Sequence, residues 1–103
     1  MKIALLNSPF DIVIEKRPLP QVGEHDLLLE VIYCGICGTD LKLYQGKGPF
    51  ELSEPTILRH EIVARVHTVG KEVKGIKKEE RVVINPMKNL VGLGGVDGAF
   101  AKY

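Results

Sequence analysis

Punctuation constrains this chain more than any other feature. Eleven Gly and six Pro are spread along 103 residues, so apolar stretches are short and end in turns. Between the turns the pattern alternates with a period of two. Phe10, Ile12 and Ile14 are interleaved with Asp11, Val13 and Glu15. The longest run, His60 to Val69, sets Ile62, Ala64 and Val66 against Val63, Arg65, His67 and Val69. A period of two places alternate side chains on opposite faces of a strand. Strands are expected over 2–7, 10–16, 27–33, 60–69, 81–85 and 99–103. One short helix is expected over Asp40 to Gln45, N-capped by Thr39 and ended by Gly46-Lys47-Gly48-Pro49. The expectation is a mainly β domain, a barrel or barrel-like sandwich with one helix.

Charge and cysteine usage narrow the function. Lys plus Arg is 14 against 13 for Asp plus Glu, a net charge of +1, which leaves no basic field to hold a nucleic acid. The Lys71 to Lys78 cluster is broken by Glu72 and followed by Glu79 and Glu80, and reads as a solvated loop. No run approaches the roughly 20 apolar residues of a membrane helix, and Ile3 to Leu6 is too brief for a signal peptide. The chain is expected to be cytoplasmic, with no nucleic-acid or membrane partner.

Chemistry concentrates in two places. Residues 34 to 40 read Cys-Gly-Ile-Cys-Gly-Thr-Asp, and His60-Glu61 follows twenty residues later. On its own the first stretch supports three readings equally: Cys37 as a metal ligand at a helix start, Cys34 and Cys37 as a dithiol, or two small buried side chains. His60-Glu61 favours the metal. A thiolate, an imidazole and a carboxylate suit Zn²⁺ better than Mg²⁺ or Ca²⁺. Neighbours on a strand point apart, so His60 and Glu61 can share an ion only where the strand begins or bulges. Asp40 can orient a ligand, and Thr39 can pass a proton; helix capping is their simpler role. His25 is expected to be exposed and His67 structural. Gly92 to Gly98 fails the G-x-G-x-x-G spacing because position 97 is Asp, and no strand–turn–helix unit surrounds it.

Together these motifs resemble the zinc-dependent medium-chain dehydrogenase/reductase family of alcohol, polyol and threonine dehydrogenases. Cys34 to Asp40 matches its first zinc-ligand motif, and Pro55-Thr56-Ile57-Leu58-Arg59-His60-Glu61 is similar to its second. Val66 to Val73, Arg81-Val82-Val83 and Gly98 to Tyr103 resemble segments that follow in the same order. The resemblance implies one GroES-like, partly open β-barrel over residues 1–103. It implies zinc on Cys37, His60 and Glu61, a proton relay through Thr39, support from Asp40, and an oxidoreductase in which hydride passes to NAD(P)⁺.

Departures from the pattern shape the expectation further. Arg59 stands where Gly is expected before His-Glu, and Glu79-Glu80 replaces Gly-Asp before Arg81. Met87 to Gly92 replaces a four-cysteine lobe that holds a structural zinc. The nucleotide-binding Rossmann domain and the remaining zinc ligand have no counterpart here, so NAD(P) is not expected to bind. The chain therefore reads as an isolated catalytic domain, truncated or engineered, and inactive alone. The alternative is a metal-free, non-enzymatic β-barrel scaffold that self-associates through surface a missing domain would cover.

Overall fold

The computed structural model describes residues 1–48, 55–88, 91, 98, 99 and 101. Among the described residues, two antiparallel sheets and one short helix carry the fold, the helix lying between the first two strands of the second sheet. Strands β1 (Lys2–Ser8) and β2 (Asp11–Lys16) form a hairpin around Pro9-Phe10. Strands β3 (Leu27–Cys34), β4 (Ile62–Val69) and β5 (Arg81–Val83) form the second sheet, with β4 in the centre. Helix α1 (Gly38–Tyr44) follows β3 directly. Among the described residues the chain adopts the expected mainly β fold with a single short helix. Among the described residues no helix is long and apolar enough to cross a membrane.

The alternation read in the sequence decides which side chains meet. On β4, Ile62, Ala64 and Val66 are buried, Ile62 and Ala64 joining Ala99, Leu29, Val31 and Val82, whereas Arg65 is exposed. In the hairpin, Leu5 lies opposite Val13, and that face packs with Ile3, Ile57 and Ala101. Ile12 and Ile14 lie on the other face, and Ile14 is 69% exposed. Alternation names the residues that share a face; the pairing register decides which face is inside.

The stretch 55–61 ties the two sheets together. Leu6 and Thr56 exchange both backbone hydrogen bonds, at 2.9 and 3.0 Å. On the other flank, Gly98 N–H donates to the Ile57 carbonyl at 2.8 Å and Ala99 N–H to the Arg59 carbonyl at 3.2 Å. A Cβ on Gly98 would fall 2.2 Å from the Leu58 carbonyl oxygen, so this close crossing requires glycine. Leu58, His60 and their neighbours are therefore held by backbone on both sides.

Two expectations need correction, the helix cap and the start of β4. Helix α1 starts at Gly38 with Cys37, not Thr39, as its N-cap, because the Asp40 carboxylate reaches back to Cys37 N–H at 2.8 Å. It ends at Gln45 with Gly46 in a left-handed conformation (φ +70°), where Gly46 and Lys47 N–H bond Leu43 and Lys42 carbonyls. Strand β4 starts at Ile62, so His60 and Glu61 lie on the connection before it and escape the strict alternation of a strand. Of the expected last strand, Ala101 bridges Ile3, and Phe100, Lys102 and Tyr103 lie outside the described residues. Most of Gly92 to Gly98 lies outside them too.

Candidate metal centre

Two backbone connections meet at the C-terminal end of β3. One is the turn Gly35 to Cys37, which leads into α1; the other is Arg59 to Glu61, which leads into β4. Gly35 N–H donates to the Glu61 carbonyl at 2.8 Å and locks them together. A Cβ on Gly35 would sit 2.3 Å from Glu61 Oε2, so the carboxylate occupies space that any other residue would fill. The glycine's place inside the Cys-Gly-Ile-Cys stretch was the available sequence signal for this role; a turn explained it as well.

The result is a convergence of three side chains. One ligand atom from each of Cys37, His60 and Glu61 lies within 4.8 Å of the others. Cys37 is half-buried, His60 buried and Glu61 exposed, so the cluster opens to solvent on the carboxylate side. It borders an open cleft of about 390 Å³ lined by Tyr33, Gly35, His60, Glu61, Val83 and Pro86 among others. Thr39 Oγ1 is 3.8 Å from Cys37 Sγ, at the edge of the cluster.

Asp40 organises the buried side. Its Oδ2 accepts Cys37 N–H at 2.8 Å and lies 3.3 Å from Arg59 Nη1. Its Oδ1 is 3.6 Å from His60 Nδ1. That pair is buried, and neither atom has a hydrogen-bond partner of normal length. A carboxylate facing one imidazole nitrogen orients the ring and leaves the other nitrogen for a cation. The donor set fits zinc: soft sulfur, borderline nitrogen and an oxygen, with room for a further ligand.

Cys34 is not among the three converging ligands. Its Sγ lies 3.7 Å from the Gly35 carbonyl. Burial raises its pKa above the ordinary 9.0; nearby Arg59 opposes this, and Asp40 and Glu61 add to it. Both cysteines are free thiols. His67 Nδ1 lies 2.9 Å from Thr68 Oγ1 on β4, away from the cluster, and His25 is exposed.

Arg59 is the residue whose full part the sequence concealed. Its backbone is left-handed (φ +83°), a region that favours Gly. Its guanidinium turns inward to Asp40 and to the Gly35 carbonyl, 3.4 Å away. The expected Gly before His-Glu was the available signal for the backbone. Nothing in the sequence showed the ion pair.

Comparison with known proteins shows the family. Residues 23–103 match the alcohol dehydrogenase GroES-like domain. Mouse sorbitol dehydrogenase is 38% identical over 84 residues, which are 80% of this chain and 24% of that protein. The crystal structure of a zinc-binding dehydrogenase from Sinorhizobium meliloti, bound to NADP, is 36% identical with a TM-score of 0.69 over 78% of this chain and 23% of that one. The 2R,3R-butanediol dehydrogenase of Bacillus subtilis is 30% identical with a TM-score of 0.82, over 98% of this chain and 36% of that one. The chain thus spans about a quarter of the length of the sorbitol dehydrogenase it matches. With its motifs, fold and matched residues in agreement, the chain belongs to the alcohol dehydrogenase GroES-like domain family, that of the zinc-dependent alcohol and polyol dehydrogenases.

Proposed function

We propose that this chain is the metal-holding domain of an alcohol or polyol dehydrogenase, with the nucleotide held by residues outside 1–103. The observation that carries the reading is the convergence of Cys37, His60 and Glu61 within 4.8 Å. A zinc ion held there would supply Lewis-acid polarisation of an alcohol oxygen. The chain's own residues do the rest. Cys37 and His60 are fixed by the helix start and by the doubly anchored stretch 55–61, while exposed Glu61 can yield its place to a fourth ligand. Asp40 holds the His60 ring. Thr39, whose Oγ1 is 3.8 Å from Cys37 Sγ, would take the substrate hydroxyl proton towards solvent. Sorbitol and butanediol dehydrogenases as relatives support a polyol or vicinal diol as the substrate class. Without a nucleotide-binding partner domain the chain is expected to turn nothing over.

Elemental analysis of the purified chain tests the reading. One zinc per chain in the wild type, lost in Cys37→Ala and His60→Ala, is the expected result. A wild type that takes up no zinc after dialysis against it overturns the proposal and leaves a metal-free β scaffold.

A further inference from the structure

Resting on that reading, we infer that Arg59 is a positioning residue that weakens metal binding at Cys37, His60 and Glu61 and allows the domain to fold without the metal. Asp40 is the connection. Its side chain is only 5% exposed and Arg59's 11%, so the carboxylate sits where an uncompensated charge is costly. Two side chains face it from opposite sides. Arg59 approaches Oδ2 at 3.3 Å, and the His60 ring faces Oδ1 at 3.6 Å.

The consequences have opposite signs. Without a metal, the guanidinium neutralises Asp40 and stabilises the folded chain. With a metal, the same guanidinium draws the carboxylate's charge away from His60, which makes the imidazole a poorer donor. It also places a like charge next to the ion, and a buried site screens that repulsion poorly. The backbone gives no reason for arginine here, since φ at 59 is +83° and Gly would relieve it. Among the contacts the side chain adds are those to Asp40 and to the Gly35 carbonyl.

Cobalt(II) titration of the whole chain, followed by its thiolate and ligand-field absorption, measures the effect in wild type, R59K, R59Q and R59G. Lys retains the charge; Gln removes it and keeps the strained backbone; Gly removes both. R59K is expected to bind like wild type, and R59Q and R59G about tenfold or more tightly. Chelator is expected to lower the melting temperature of the wild type less than that of R59Q. Equal affinity in wild type and R59Q overturns the inference, as does tightening confined to R59G, which would assign the effect to the backbone. If R59Q is unfolded when purified, refolding on cobalt addition supports the inference and failure to refold overturns it. No cobalt spectrum in any variant overturns the metal reading and this inference with it.

Discussion

Positions 59 and 79 make the same demand on the backbone and meet it in opposite surroundings. Both are left-handed, at φ +83° and +71°, and both stand where the family resemblance leads one to expect Gly. At Glu79 the reason is a turn that runs into a bulge. Glu80 N–H bonds the Lys77 carbonyl at 3.3 Å, while Glu79 N–H and the Glu80 carbonyl bond Val66, at 2.8 and 2.9 Å, so two residues oppose one. That geometry asks for a left-handed first residue. The Glu79 side chain is 62% exposed, and its partner, Arg65, lies 3.6 Å away and is itself half in solvent. Such a pair offsets little of the strain. At Arg59 the side chain is buried against Asp40, and the ion pair is part of the candidate metal centre. A strained residue in solvent affects only the local turn. A strained residue whose side chain reaches a buried carboxylate is coupled to whatever that carboxylate serves.

The largest expected effect breaks that coupling. Asp40→Asn removes the charge that Arg59 faces at 3.3 Å and so breaks a buried ion pair. A loss of about 3 kcal/mol is expected, with a melting temperature lower by more than about 10 °C. Arg65→Ala, which removes the partner of Glu79, is expected to change stability by less than about 0.5 kcal/mol. Thermal unfolding of both in chelator checks the difference. Equal losses would mean that Arg59 and Asp40 are no more coupled than a surface pair.

Substitution by glycine sharpens the same contrast. Glu79→Gly releases strain and gives up only an exposed pair, so a gain of about 1 kcal/mol is expected, raising the melting temperature by about 4–8 °C. Arg59→Gly releases similar strain and leaves Asp40 without its cation, so in metal-free protein a net loss of about 2 kcal/mol is expected. Opposite signs in urea unfolding would support the comparison. A gain at both positions would show that backbone strain dominates everywhere and that the Asp40 pair contributes little.

What could be read in advance follows from this physics. Strand periodicity exposed β4 and the hairpin because alternating burial leaves a direct trace in residue type. The cluster of Cys37, His60 and Glu61 was legible because few side chains bind a soft divalent ion, and their types identify them. Thr39 was the natural choice for the helix cap by composition, yet the capping contact comes from Asp40 reaching back to Cys37, which depends on where the chain bends. Left-handed conformation at 59 and 79 is hidden by Arg and Glu themselves; only the glycines expected by resemblance pointed there. The inward turn of Arg59 could not be read at all, because it depends on Asp40, nineteen residues away, being buried within reach.

The smallest expected effect lies at the margin of the centre, in Cys34. Burial is the main cause of its raised pKa, with Arg59 opposing and Asp40 and Glu61 reinforcing it. A group that holds its proton more tightly when folded contributes stability that is complete below the unfolded value. That contribution is lost as pH rises through the folded value, because the unfolded chain releases its proton first. Wild type should therefore lose more stability than Cys34→Ser between about pH 8 and pH 10, since serine does not titrate there. Urea midpoints of the two proteins across that interval measure the difference, with Lys and Tyr titration common to both. Parallel curves would show that Cys34 keeps its solution pKa. In an Arg59→Gln background the gap should widen, because the one charge that favours the Cys34 thiolate is gone. An unchanged gap there would place the Arg59 charge out of effective reach of Cys34 and confine its influence to Asp40.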